Sequence, residues 1–116
     1  MITGIDHFAI IVSSEEALKF YKKLGFKEYY RKERQYDTVI LMEAFEIRIE
    51  CFIDNTHPRK GNPEPLGLRH IAFKVDNIEK TLKDLEIDDK EASFDWIGIR
   101  YVFLKDLDGN IVELHE

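Results

Sequence analysis

The chain switches between two hydrophobic periods, and it does so twice. Residues 4–12 alternate and are rich in β-branched side chains, which predicts a strand. Ser13 and Ser14 then offer N-caps, and Glu15 and Glu16 fill a first helical turn where the helix dipole favours anions. Ala17, Leu18, Tyr21 and Leu24 recur at helical spacing, and Gly25 is placed to end that helix. Strand-like segments follow near 26–34, 36–43 and 46–53. The predicted order is β-α-β-β-β.

The second half repeats that order. Residues 68–75 read as a strand, Asp76 or Asn77 as a cap, and Ile78, Leu82 and Leu85 as one face of a helix. A weak strand signal lies at 90–95, with stronger ones at 98–105 and 110–115. Asp106-Leu107-Asp108-Gly109-Asn110 carries hairpin-turn residues, and it aligns without a gap on Glu43-Ala44-Phe45-Glu46. The expected organisation is one domain, 1–116, made of module 1 (1–53), a linker (54–67) and module 2 (68–116). The linker holds all three prolines and is long for a compact domain, so it is a candidate functional segment as well as a connection.

Composition narrows the partners. The 116 residues are 44% hydrophobic and 34% charged, ordinary for a globular domain, and the net charge is −6. With no clustered basic stripe, nucleic acid is excluded as an expected partner. No apolar run reaches transmembrane length and the first residues lack a signal-peptide pattern, so the expectation is a cytoplasmic protein with no membrane partner. Cys51, the single cysteine, alternates away from Glu50 and reads as a buried structural thiol.

The polar residues inside the apolar strands carry the chemistry. His7 and Glu50 lie 43 residues apart, as do His70 and Glu113, and the two pairs are displaced by 63 residues. A lone strand histidine is usually a satisfied rim residue. Keeping all four polar side chains in apolar strands costs energy unless something between them satisfies them. Two imidazoles and two carboxylates suit one divalent metal ion. Alternation places His7 with Ile5, Ala9 and Ile11, and Glu50 with Arg48 and Phe52; Ile47, Ile49 and Cys51 fall on the helix-covered side. Likewise His70 shares a face with Leu68 and Ala72, and Glu113 with Ile111 and His115.

These segments resemble the vicinal oxygen chelate superfamily, which includes glyoxalase I, bleomycin resistance proteins and extradiol dioxygenases. The likeness is carried by Ile5-Asp6-His7-Phe8-Ala9-Ile10, Phe20-Tyr21-Lys22-Lys23-Leu24-Gly25-Phe26, Gly67-Leu68-Arg69-His70-Ile71-Ala72-Phe73 and Asp106 to Leu114. Pro63-Glu64-Pro65-Leu66-Gly67-Leu68-Arg69-His70 is most similar to short stand-alone bacterial glyoxalase-like proteins. The resemblance implies an α+β fold: two paired β-α-β-β-β modules forming a curved half-barrel sheet around a metal site. It implies His7, Glu50, His70 and Glu113 as metal ligands. A His-Glu-His-Glu set is most like glyoxalase I, although the arginine that grips glutathione in that enzyme has no match here.

The implied activity is a metal-dependent lyase or isomerase of the lactoylglutathione lyase type. It would act through an enediolate on a 2-oxoaldehyde–thiol hemithioacetal or a similar small vicinal-oxygen substrate. The alternatives are another metalloenzyme of the superfamily (epimerase, dioxygenase or thiol transferase) or a non-catalytic small-molecule-binding protein. One divalent ion per site (Ni, Co, Zn, Mn or Fe) would stabilise the enediolate charge, and Glu50 or Glu113 would move the proton.

Secondary candidates are weighed against structural roles. A tight turn after residue 105 would put Arg100, Val102 and Leu104 on the face of Glu113, making Arg100 a substrate-binding residue or else a rim salt bridge with Asp37. His115 reads as a rim residue, His57 as exposed, Arg59 and Lys60 as loop charge, and Phe94 and Trp96 as packing between strands. A homodimer is expected, because exposed sheet edges invite pairing and twofold closure is common.

Overall fold

The computed structural model describes all 116 residues, Met1–Glu116. The chain divides into two compact units, Met1–Pro58 and Arg59–Glu116, so the division falls inside the expected linker.

In the first unit β1 (Phe8–Val12) leads into α1 (Glu15–Leu24), followed by β2 (Lys27–Glu33), β3 (Thr38–Ala44) and β4 (Ile47–Ile53). The four strands form one sheet in the order β1-β4-β3-β2. β1 runs parallel to β4, and the other pairings are antiparallel. Helix α1 starts at Ser14, whose side chain makes no capping bond. It ends in a Schellman arrangement: Gly25 N–H donates to Lys22 O at 3.0 Å and Phe26 N–H to Tyr21 O at 3.1 Å. Ala17, Leu18 and Tyr21 bury one face of the helix in the core that also takes Val12, Ile40, Met42, Ile49 and Cys51. Burial pushes the Cys51 thiol pKa up to about 12, which fits the structural role expected of it.

β3 and β4 meet in a two-residue turn in which Phe45 and Glu46 both have positive φ, 53° and 65°. That is the backbone a tight hairpin requires, and it is unusual for side chains this large. Phe45 is held edge-on to Phe26 with ring centroids 6.0 Å apart. It also lies over Gly25, where a Cβ would stand 3.0 Å from Phe45 Cζ.

The second unit repeats the plan with β5 (His70–Lys74), α2 (Ile78–Asp84), β6 (Ser93–Phe94), β7 (Arg100–Lys105) and β8 (Ile111–His115). Its sheet order is β5-β8-β7-β6, again with the first and last strands parallel. Asn77 Oδ1 caps α2 by accepting from Lys80 N–H at 2.8 Å, and Glu116 Oε2 accepts from Ile78 N–H at 3.0 Å. Ile78, Leu82, Leu85, Val102, Leu104, Val112 and Leu114 are buried.

The repeat is not gapless. β7 and β8 are joined by five residues, Asp106 to Asn110, and Lys105 pairs with Ile111. Asp106 organises that loop: Oδ1 accepts from Asp108 N–H (2.9 Å) and Asn110 N–H (2.8 Å), while Oδ2 accepts from the Asn110 amide at 2.8 Å. Gly109 supplies the positive φ of 84°. The corresponding loop of the first unit has only two residues, so β3 and β7 are related by 62 positions while β4 and β8 are related by 63. Buried Ile40 and Met42 accordingly match buried Val102 and Leu104.

Gly25→Ala tests the first-unit corner. At a φ of 116° with Phe45 overhead, the new Cβ should cost about 1–3 kcal/mol. The urea midpoint should fall with an unchanged slope; an unaltered midpoint would mean the corner relaxes freely.

Candidate functional site

Parallel pairing of the first and last strand sets the geometry in each unit. Ala9 stands opposite Glu50, and Ala72 opposite Glu113. Two residues before each alanine is a histidine, on the sheet face away from the buried core. In the first unit His7 Nε2 lies 3.0 Å from Glu50 Oε2. In the second, His70 Nε2 lies 3.4 Å from Glu113 Oε2. The structure thus brings together both His–Glu pairs expected from spacing. Within neither unit are three or more His, Cys, Asp or Glu gathered to hold a metal ion.

The donor chemistry fits a divalent cation. Each pair sets an imidazole nitrogen beside a carboxylate oxygen, a donor set of the kind divalent cations take. The histidines are oriented differently. His7 Nδ1 is 2.8 Å from Asp6 Oδ2, which leaves Nε2 facing Glu50. That hydrogen bond to Asp6, with the charge of Glu50, raises the His7 pKa against the effect of burial. His70 has a different neighbour at Nδ1, Arg69 Nη1 at 3.4 Å; its ring is edge-on to Phe103 at 5.2 Å, and the Arg69 guanidinium sits 5.3 Å over the same Phe103 ring.

Phe103 and Asp6 were not singled out as site residues from sequence. Phe103 becomes visible only with the strand register, because it stands directly opposite Glu113. Asp6 adjoins His7, and neighbours in a regular strand point to opposite faces. His7 precedes β1 (Phe8–Val12), so strand alternation does not govern this pair, and Asp6 reaches the ring.

The face expected for Arg100 is corrected by the same register. Cross-strand partners share a face, so Glu113 lies with Tyr101, Phe103 and Lys105, while Arg100, Val102 and Leu104 lie with buried Val112 and Leu114. A tight two-residue turn would have given the other parity; the five-residue loop reverses it. Arg100 pairs with Glu79 at the start of α2 and with Glu116 at 3.0 Å, and these carboxylates keep it firmly cationic. Asp37 is taken by Arg34 through two bonds of 2.7 Å. Arg100 is therefore a tie between strand and helix rather than a residue of the Glu113 face.

His115 is on the Glu113 face, with Nε2 3.0 Å from Asp95 Oδ2, in the rim role expected. His57 is exposed beside Asp54 at 3.3 Å. Phe94 and Trp96, expected to pack between strands, are exposed instead: β6 is only two residues long, and Trp96 falls in the turn organised by Asp95.

The chain belongs to the Glyoxalase/Bleomycin resistance protein/Dioxygenase superfamily, whose model matches residues 4–114. Among curated relatives it is 36% identical to the uncharacterized protein YwkD of Bacillus subtilis, covering 100% of this chain and 98% of that protein. The crystal structure of the glyoxalase family protein from Enterococcus faecalis matches with a TM-score of 0.88 at 34% identity, covering 97% of both chains. More distant structures share the fold. The FosX fosfomycin resistance protein of Listeria monocytogenes, complexed with Mn(II) and sulfate, gives a TM-score of 0.75 at 17% identity, covering 99% of this chain and 93% of that one. Lactoylglutathione lyase of Agrobacterium tumefaciens gives 0.69 at 19%, covering 99% and 94%. No helix is long and apolar enough to cross a membrane.

Removing the Arg100 side chain separates the two roles considered for it. Arg100→Ala should lower the unfolding midpoint slightly by releasing Glu79 and Glu116, and leave metal uptake unchanged. A normal midpoint with impaired substrate binding would return Arg100 to the site.

Proposed function

We propose that the chain is a divalent-metal-dependent lyase or isomerase of the glyoxalase type, acting on a 2-oxoaldehyde–thiol hemithioacetal or a similar small substrate with two adjacent oxygens. The observation that carries this reading is the paired geometry: each unit offers one imidazole nitrogen and one carboxylate oxygen from equivalent strand positions, on the face opposite its core. Superfamily membership and a Mn(II) complex of a fold relative support it.

His7, Glu50, His70 and Glu113 are the four groups that would hold the ion. When bound, a divalent cation supplies Lewis-acid stabilisation of negative charge developing on two adjacent substrate oxygens. Isomerisation also requires a proton to leave one carbon and reach its neighbour. A glutamate of the set, Glu50 or Glu113, is the group to carry it. Glu113 is the more enclosed of the two, its side chain 14% exposed against 29% for Glu50. Phe103 adds apolar surface beside His70, which would limit water around the proton in transit.

Glu50→Gln keeps the shape and removes the charge. Metal content of protein purified without chelator should fall. Activity toward the hemithioacetal of methylglyoxal should drop by about two orders of magnitude or more, while the unfolding midpoint barely moves. Unchanged metal and unchanged turnover would take Glu50 out of the site and favour a three-ligand relative.

We also propose a homodimer. Exposed Phe94, Trp96 and Ile97 form apolar surface of the kind that partners cover, and β2 is exposed along its whole length. Light scattering at micromolar concentration should give twice the 13.7 kDa chain mass; a metal-binding monomer would refute it. Mixing inactive His7→Ala and His70→Ala proteins then locates the ligands. Partial return of activity means two chains share each site, and no return means one chain supplies all four.

A further inference from the structure

The second unit contains a pocket of about 370 Å³ that the metal-site reading leaves unused. It lies between the 60–69 segment and the β7–β8 turn. The segment is held there by specific contacts. Arg59 Nη2 is 3.4 Å from Asp108 Oδ1, and the Lys60 carbonyl passes so close to the turn that a Cβ on Gly109 would stand 3.4 Å from it. The volume is in the range of pockets for small ligands.

Its lining is positive in an acidic chain. Lys60, Arg69 and Lys105 contribute three cations, and Glu64 the one carboxylate, leaving two net positive charges in a protein whose total is −6. Glu64 is already engaged with Arg69, at 2.6 Å to Nε and 3.2 Å to Nη2. Ile111 and Leu68 supply apolar lining. The pocket also adjoins the His70–Glu113 pair. Lys105 pairs with Ile111 and Phe103 with Glu113, so all four share one sheet face. Two residues of strand separate Ile111 from Glu113, about 7 Å.

We infer that this pocket binds an oxyanion, a carboxylate or a phosphate-type group, at the far end of the substrate. The substrate is therefore a small acid whose anionic end lies several ångströms from the two oxygens that face His70 and Glu113. Assigning the anion to a substrate rests on the metal-site reading above; the pocket's affinity for an oxyanion does not.

The binding test uses the full chain, metal-free and ¹⁵N-labelled, titrated with inorganic phosphate and separately with acetate at constant ionic strength. Saturable shifts of the Gly61, Asn62 and Gly109 amides are expected, and the anion that gives them at lower concentration identifies the oxyanion class. Lys60→Ala and Lys105→Ala should each weaken binding about fivefold, and Lys60→Arg and Lys105→Arg should retain it. Absence of saturable shifts, or equal affinity in the alanine variants, overturns the pocket. The substrate assignment is tested on Mn(II)-loaded protein with methylglyoxal hemithioacetals of mercaptoacetate, which is anionic, and of 2-mercaptoethanol, which is neutral. The anionic adduct should have the lower KM, and Lys105→Ala should raise that KM alone with kcat unchanged. Equal KM values overturn the assignment. Failure to take up metal removes the lyase reading without altering the phosphate result, and failure to bind phosphate removes the pocket without altering metal uptake.

Discussion

The parallel pairing between the first and last strand of each unit is the constraint on which the candidate site depends. In a β-α-β-β-β unit the helix carries the chain over one face, so that β1 can return beside β4 and β5 beside β8. Ala9 opposite Glu50 and Ala72 opposite Glu113 then fix which side chains meet. A shift of one residue in either ladder would turn Glu50 or Glu113 into the core and bring out Ile49 or Val112. Burying an unpaired carboxylate costs far more than the ladder hydrogen bonds would gain by slipping. The hydrophobic core and the His–Glu pairs therefore specify the same register, and each protects the other.

Much of this was legible from sequence. The eight strands and two helices follow the expected order, and the faces of His7, Glu50, His70 and Glu113 follow from alternation alone. The buried thiol of Cys51 was equally predictable. The face expected for Arg100 failed on loop length. Alternation predicts faces within a strand, but carrying a face across a hairpin requires the parity of the connection. Asp106-Leu107-Asp108-Gly109-Asn110 contains turn residues that suit either two or five residues of loop, and only the Asp106 side chain, folded back on Asp108 and Asn110, selects five. Arg100 changed faces for that reason and Phe103 took the place expected for it. The weak 90–95 segment condensed to two residues because Asp95 bonds to its own turn, which left Phe94 and Trp96 in solvent.

The two units share the His–Glu pair and differ around it. Repeat partners Asp6 and Arg69 present opposite charges beside equivalent histidines. Asp6 accepts from His7, whereas Arg69 brings Nη1 to 3.4 Å from His70 Nδ1 and also reaches Glu64 and the face of Phe103. Opposite the glutamates, Leu41 in one unit is replaced by Phe103 in the other. The first unit thus sets its histidine beside an anion in fairly open surroundings, and the second beside a cation and an aromatic ring in a more enclosed place.

That divergence has a physical consequence for how a substrate would be read. Two identical half-sites around an ion would hold a substrate without a preferred direction, and an isomerisation that moves a proton from one carbon to the next needs one. Symmetric ligands supply charge stabilisation equally to both oxygens; they cannot choose the carbon that loses its proton. Direction must come from groups outside the ligand set. On the proposed reading the second unit would supply these, through Phe103 and Arg69 beside His70 and through the cationic pocket lined by Lys60 and Lys105. Under the proposed reading, the polarity of the site would come from the residues that differ between the two units and not from the four that match.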